Sequence, residues 1–107
     1  MARRHDPSLP TLSHTSASLS LLAKARRFRD RGELRKALVA LREACLRDEE
    51  AAALWTLYGA LSARHGRDDD ARRALRHALW LRKSAGDDAR VSSTQALLDR
   101  LELPSAA

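Results

Sequence analysis

The sequence is poor in several residue types, and each shortage excludes a class of protein. It contains one cysteine, Cys45, so a disulfide within the chain is excluded and a reducing compartment, the cytoplasm, is expected. Aromatic residues amount to only 4%, and no apolar run approaches the roughly 18 residues that a membrane-spanning helix needs. With 107 residues, the chain is long enough for one modest domain and too short for two.

The chain also lacks the residue arrangements that are typical of catalysis or metal binding. Cys45 has no histidine–acid arrangement to activate it, so we interpret it as a small core residue. The three acids Asp68 to Asp70 point in different directions on a helix, and we interpret them as a helix start with Asp68 as the N-cap. The histidines are scattered without ligand spacing: His5, His14, His65 and His77. We therefore expect no enzyme, no metal and no cofactor.

The charge of the chain is strongly positive. The formal net charge is +6, and most of the basic residues are arginine. The excess lies within residues 18–85, whereas residues 86–107 contain more acidic than basic residues. Such a charge is compatible with nucleic acid, with an acidic protein partner, or with an arginine-rich proteome, and it does not separate the three.

Apolar residues recur at three- and four-residue spacings over most of the chain, which predicts five helices. Residues 1–17 have two prolines and no such periodicity, so we expect a flexible arm there. A first helix is expected from Ser16 or Ser18, as its cap, towards Gly32, and a second from Leu34 to about 47. The remaining helices are expected at 52–65, about 69–82 and about 88–101, and residues 103–107 are expected to be a frayed end.

The most informative pattern is an internal repeat of 34 residues. Gly32 and Gly66 are separated by this interval, which allows the same tight turn twice. Small residues recur at the same offset, where two helices of a hairpin can approach closely: Ala25 and Gly59, Ala37 and Ala71, Ala44 and Ala78. Large residues, which fill the space between the helices, recur as Leu21 with Trp55 and Leu41 with Leu75. A period of about 34 residues with paired helices is typical of tetratricopeptide repeats.

The stretch from Trp55 to Ala78 resembles the tetratricopeptide-repeat (TPR) pattern in its tryptophan, glycine and alanine positions, and Leu21 to Ala44 is a weaker copy with Phe28 at the tyrosine position. The resemblance implies an all-α fold, a TPR-type α-solenoid with repeats at 18–51 and 52–85 and a closing helix at 87–102. The whole TPR domain is therefore predicted at 18–102. The departures from the pattern are Lys24, Glu49, Tyr58, Ser62, Asp68 and Lys83.

In TPR proteins the first helix of each pair lines a concave groove that receives a peptide or a helix of a partner. Carried over by position, the resemblance implies a groove made of Leu22, Arg26, Arg29, Thr56, Ala60, Ala63, Arg64, Arg90 and Thr94. Leu22 and Arg26 occupy the positions of the lysine–asparagine clamp of chaperone-binding members, so that clamp is absent. Arginines suit carboxylates through bidentate hydrogen bonds, although a merely solvated face is the alternative interpretation.

A second candidate surface lies on the predicted fourth helix, where four residues share the outer, convex side: Arg73, Arg76, His77 and Trp80. An exposed tryptophan beside arginines favours a contact surface for self-association, for a tail or for nucleic acid. The alternative interpretation is that Trp80 lies flat over its neighbours or under the N-terminal arm.

The function that these features favour is that of a cytoplasmic adaptor or scaffold that binds an acidic or helical segment of another protein. Two alternatives stay open. The same shape suits a small secretion-type chaperone, and the charge suits a basic helical nucleic-acid-binding protein, although no aromatics are interleaved with the basic residues. A groove of two repeats is short, so tight binding is expected to need a homo-oligomer or a second site.

Overall fold

The computed structural model describes residues 16–103, and these form five α-helices with short connections. The predicted all-α class and all five predicted helices are confirmed. The helices are α1 (Ser16–Asp30), α2 (Leu34–Arg47), α3 (Ala52–Arg64), α4 (Asp68–Ser84) and α5 (Asp88–Glu102). Ser16 and Ala17 belong to the predicted arm, but in the structure they are the first two residues of α1. Ser18 lies inside this helix and is buried, so it is not the N-cap. The rest of the predicted arm, and residues 104–107, lie outside the described residues.

The helices pack in chain order. The largest contacts join α1 to α2 and α3 to α4, and the second pair lies against the first through α2 and α3. The last helix packs on α4 and also touches α3. Neighbours in sequence are therefore neighbours in space, as expected for helices joined by connections of only a few residues.

Three of the connections use a glycine in the left-handed conformation. Gly32, Gly66 and Gly86 have φ values of +77°, +77° and +71°, a region that L side chains rarely adopt. At the first turn, the amide of Gly32 donates to the carbonyl of Arg29 at 2.9 Å, and that of Glu33 to the carbonyl of Phe28 at 2.8 Å. This pattern closes the end of a helix and satisfies its last carbonyls. The α2–α3 connection, residues 48–51, contains no glycine.

The predicted N-cap at Asp68 is wrong. Asp68 is the first residue of α4 itself, and Arg67 occupies the cap position without a side-chain cap hydrogen bond. The three acids nevertheless lie in the first turn, where the partial positive charge of the helix end favours carboxylates. A side-chain cap is found at α5, where Asp87 accepts from the amide of Arg90 at 3.3 Å.

The core lies within each helix pair and also between α2 and α3, and residues separated by 34 positions occupy matching places in it. Ala37 and Ala44 of α2 and their counterparts Ala71 and Ala78 of α4 have no exposed surface. Leu41 and Leu75 are also buried. Because most of these residues are alanines, the two helices of a pair approach closely.

Candidate protein-binding groove

An apolar pocket with a basic rim lies between α1 and α3. Its volume is about 110 Å³, smaller than the roughly 150 Å³ cavity that can hold a benzene molecule, so it suits one aliphatic side chain. Leu41 of α2 contributes to its wall from within the core. The full lining is Leu22, Ala25, Arg26, Arg29, Leu41, Leu57, Ala60, Leu61 and Arg64. We call this cavity the first pocket.

A second pocket lies on the other side of Ala60 and Arg64, which line both cavities. Its volume is about 450 Å³, and α5 forms its far wall. The lining is Ala60, Ala63, Arg64, Leu75, Leu97, Arg100 and Leu101. The two cavities together form one basic groove that crosses α1, α3 and α5, and no acidic side chain lines either of them.

Most guanidinium groups of the basic groove have no carboxylate partner within the described part of the chain. Arg29 contacts the carboxylate of Asp30 at 3.4 Å, and both groups are largely exposed. Within residues 16–103, Arg26, Arg64 and Arg100 form no ion pair. Three uncompensated positive charges around an apolar floor attract a ligand that carries both carboxylates and an apolar side chain.

Five of the nine residues that the sequence assigned to the groove meet in the first pocket: Leu22, Arg26, Arg29, Ala60 and Arg64. Ala63 lines the second pocket. Thr56 is half-buried on α3 and lies in neither cavity, and its hydroxyl donates to the carbonyl of Ala52 at 2.8 Å.

The structure brings neither Thr94 nor Arg90 to these two pockets. Thr94 has no exposed surface, accepts from the Arg82 guanidinium at 2.8 Å and donates to the carbonyl of Arg90 at 2.6 Å. Arg90 is exposed, pairs with Asp87 at 3.0 Å and lines a different cleft, next to Trp80. Burial, and then the charge of Arg90, lower the pKa of Arg82 from its ordinary value.

The basic residue that α5 contributes to the second pocket lies further along this helix than the sequence predicts. Arg100, which lies 36 residues after Arg64, takes the place in the groove that was expected of Arg90.

The second candidate surface, on the outer side of α4, is partly neutralised. Arg73 pairs with Asp70 at 2.6 Å and Arg76 with Glu102 at 3.7 Å. Trp80 is 62% exposed and stacks on His77, with 6.1 Å between the ring centroids. Trp80 therefore lies flat on His77, as one of the two interpretations predicts, but most of its indole ring is exposed to solvent.

Behind this surface, His77 and Trp55 bind the same carbonyl group. The indole nitrogen of Trp55 donates to the carbonyl oxygen of Glu49 at 2.9 Å, and Nε2 of His77 lies 3.0 Å from it. A carbonyl oxygen only accepts, so Nε2 of His77 carries a proton. The rings of Trp55 and His77 meet edge to face at 4.7 Å. The α2–α3 connection is thereby held to both α3 and α4.

Cys45 is buried in the core, as the sequence predicts. Burial raises the pKa of the Cys45 thiol to about 12, and Asp48 adds to the shift, so the reactive thiolate does not form at neutral pH. Residues 16–103 contain no cluster of three potential metal ligands. None of the helices they form is long and apolar enough to cross a membrane.

Comparison of the chain with protein-family models, with curated proteins and with solved structures found no match. The resemblance to TPR proteins therefore depends on the residues of the sequence alone.

Proposed function

We propose that the chain is a TPR-type α-solenoid of two repeats and a closing helix, and that it works as a cytoplasmic adaptor rather than as an enzyme. The 34-residue repeat supports this proposal, as do the matching glycine turns at Gly32 and Gly66 and the packing of the helices in chain order. Its ligand is a helical, acidic segment of another protein, which occupies the basic groove.

One observation carries the proposal. Arg26, Arg64 and Arg100 form no ion pair within residues 16–103, and they surround an apolar floor without an acidic residue. Arg73 and Arg76 on α4, by contrast, each have a carboxylate within 4 Å, with which an anionic ligand would have to compete. The groove is therefore the better of the two candidate surfaces for an acidic partner.

The small side chain of Ala60 supports a helical ligand. Ala60 is in the lining of both pockets, so a larger side chain at this position would project into the space that a ligand needs. A ligand helix that crosses α3 at this point can place one aliphatic side chain in the first pocket and a larger one in the second. Its carboxylates then reach the arginines on either side, as in other helix-in-groove interfaces.

The experiment is a pull-down from the native host with the full chain, followed by mass spectrometry. Arg26→Glu/Arg64→Glu should lose the captured partner, because each lost charge-assisted hydrogen bond weakens binding by about 1.5–3 kcal/mol. Ala60→Phe, which fills the boundary between the pockets, should have a similar effect. The matched control is Arg73→Glu/Arg76→Glu on α4, which should retain the partner.

Two outcomes would overturn the proposal. Loss of the partner in the α4 control, with retention in the groove variant, would assign binding to the Trp80 surface. A gel shift with sub-micromolar affinity for RNA or DNA at about 150 mM salt, steeply weakened by more salt, would favour the nucleic-acid alternative. Circular dichroism must show equal helicity for all variants.

A further inference from the structure

The outer face of α2 has an apolar and charged pattern that neither candidate surface uses. Val39 is 65% exposed and Leu46 is 51% exposed, two helical turns apart on the same side of the helix. Arg42 and Glu43 lie between them, and the four residues share a shallow depression with Arg47. Single exposed aliphatic residues are ordinary, so the order of the residues along the helix decides whether the face has a role.

The order is self-complementary when the helix is reversed. Along the helix the residues of this face follow in the order Val39, Arg42, Glu43, Leu46. When a second copy of the helix runs in the opposite direction, each aliphatic residue lies opposite an aliphatic residue and each acidic residue lies opposite a basic one. In an antiparallel pair of identical helices, Val39 meets Leu46 and Arg42 meets Glu43, twice each. In a parallel pair, each residue would meet its own copy, so Arg42 would face Arg42 and Glu43 would face Glu43. Like charges in direct opposition disfavour the parallel pair.

One of the two charges on this face is unpaired in the described part of the chain, and the other would exchange an exposed partner on its own helix for Arg42 of the second copy. Within residues 16–103, Arg42 forms no ion pair, and Glu43 pairs only with the exposed Arg47 of its own helix at 3.2 Å.

We infer that the outer face of α2 binds a second copy of this chain, with the two α2 helices antiparallel about a two-fold axis between Arg42 and Glu43. Such an interface is isologous, since the same patch serves on both copies. One helix face per copy buries less than the roughly 1,200 Å² typical of stable complexes, so the dimer is weak and concentration-dependent. The residues of the face do not line the basic groove, so a dimer presents two free grooves and gains avidity for a partner with two binding segments.

The test is sedimentation equilibrium of the full chain over about 1 µM to 1 mM. The wild type should associate to a dimer within this range. Arg42→Glu places carboxylates of the two copies opposite each other, and Glu43→Arg does the same with guanidinium groups. Each substitution should therefore raise the dissociation constant of the dimer at least about tenfold. The double variant Arg42→Glu/Glu43→Arg exchanges the charges at both contacts and should restore the wild-type constant. All four positions are exposed, so circular dichroism should show unchanged helicity.

Disulfide trapping tests the direction of the helices. Val39→Cys mixed with Leu46→Cys should cross-link to each other faster than either cross-links to itself, because only an antiparallel pair brings these positions within disulfide distance. The native Cys45 is buried with a raised pKa, so it does not compete. The inference is overturned if the wild type stays monomeric to about 1 mM, if Val39→Cys prefers itself, or if Trp80→Ala removes the dimer and Arg42→Glu does not.

Discussion

Gly59 of α3 lies directly against Leu75 of α4, with no room for a side chain between them. A Cβ atom placed on Gly59 would lie 2.7 Å from Cγ of Leu75 and 3.3 Å from the carbonyl oxygen of Ala71. Leu75 is almost completely buried, so it cannot move aside freely. The equivalent position in the first pair is Ala25, which is also buried. The second helix pair therefore depends on a glycine in the middle of a helix, where glycine is normally unfavourable.

We expect Gly59→Ala to lower the free energy of unfolding. Overpacking a core contact costs about 1–3 kcal/mol, and the better helix propensity of alanine offsets about 1 kcal/mol of that. In a Leu75→Ala background the contact with Leu75 is removed and only the contact with the Ala71 carbonyl remains, so the same substitution should cost clearly less stability. Both backgrounds can be compared by thermal denaturation in TMAO, which keeps the weakened Leu75→Ala protein folded. An equal loss of stability in both backgrounds would show that Leu75 is not the obstacle.

Replacing Thr94 by valine should destabilise the contact between α4 and α5. The substitution keeps the shape but removes the oxygen that accepts from Arg82 and donates to the Arg90 carbonyl. We expect a loss of about 1–2 kcal/mol in urea unfolding. The control is Thr56→Val, whose hydroxyl contacts only the Ala52 carbonyl of its own helix and should change stability by less than about 0.5 kcal/mol. An equal loss of stability in Thr94→Val and Thr56→Val would show that the hydrogen bond from Arg82 to Thr94 does not stabilise the fold.

The shared Glu49 carbonyl predicts graded effects for Trp55 and His77. Trp55→Phe removes the indole donor and keeps a ring, and should cost about 0.5–1.5 kcal/mol. His77→Ala also removes the edge-to-face ring contact, and should cost about 1–2 kcal/mol. His65→Ala is the matched control, because that exposed residue makes no such contact and should be nearly neutral. Thermal melts that rank His65→Ala with His77→Ala would contradict the assigned contact.

The cap of α5 predicts a specific dependence of stability on pH. Hydrogen bonds from the side chain and amide of Arg90 hold the pKa of Asp87 below its ordinary value. A carboxylate whose pKa is lower in the folded state stabilises the protein above its unfolded pKa, and this contribution is lost as the pH falls through the folded value. The stability gap between wild type and Asp87→Asn should therefore shrink as the pH falls below about 4. Chemical denaturation at several pH values measures it.

The control for the pH series is Asp88→Asn. Asp88 also lies at the start of α5, but its side chain has no hydrogen-bond partner within residues 16–103. The difference in free energy of unfolding between wild type and Asp88→Asn should be smaller at neutral pH and should change less as the pH is lowered. A gap for Asp87→Asn that stays constant from neutral pH to about pH 2 would show that the Arg90 contacts do not stabilise the ionised carboxylate.

The sequence by itself determined the five helices, because apolar spacing and the turn glycines are local signals. It also identified most of the first pocket, since Leu22, Arg26 and Arg29 lie on one face of α1 while Ala60 and Arg64 lie on one face of α3. Within one helix, the spacing of residues settles which side chains share a face.

Only the tertiary structure decided the orientation of α5 and the partners of each charge. The repeat of 34 predicted that Arg90 and Thr94 face the groove, whereas the packing of α5 buries Thr94 beside Arg82 and places Arg100 at the second pocket. No local pattern reports this orientation, because it depends on how α5 packs on α3 and α4. The contact between His77 and the Glu49 carbonyl, which Trp55 shares, also depends on tertiary structure, because Glu49 and His77 are 28 positions apart in the chain.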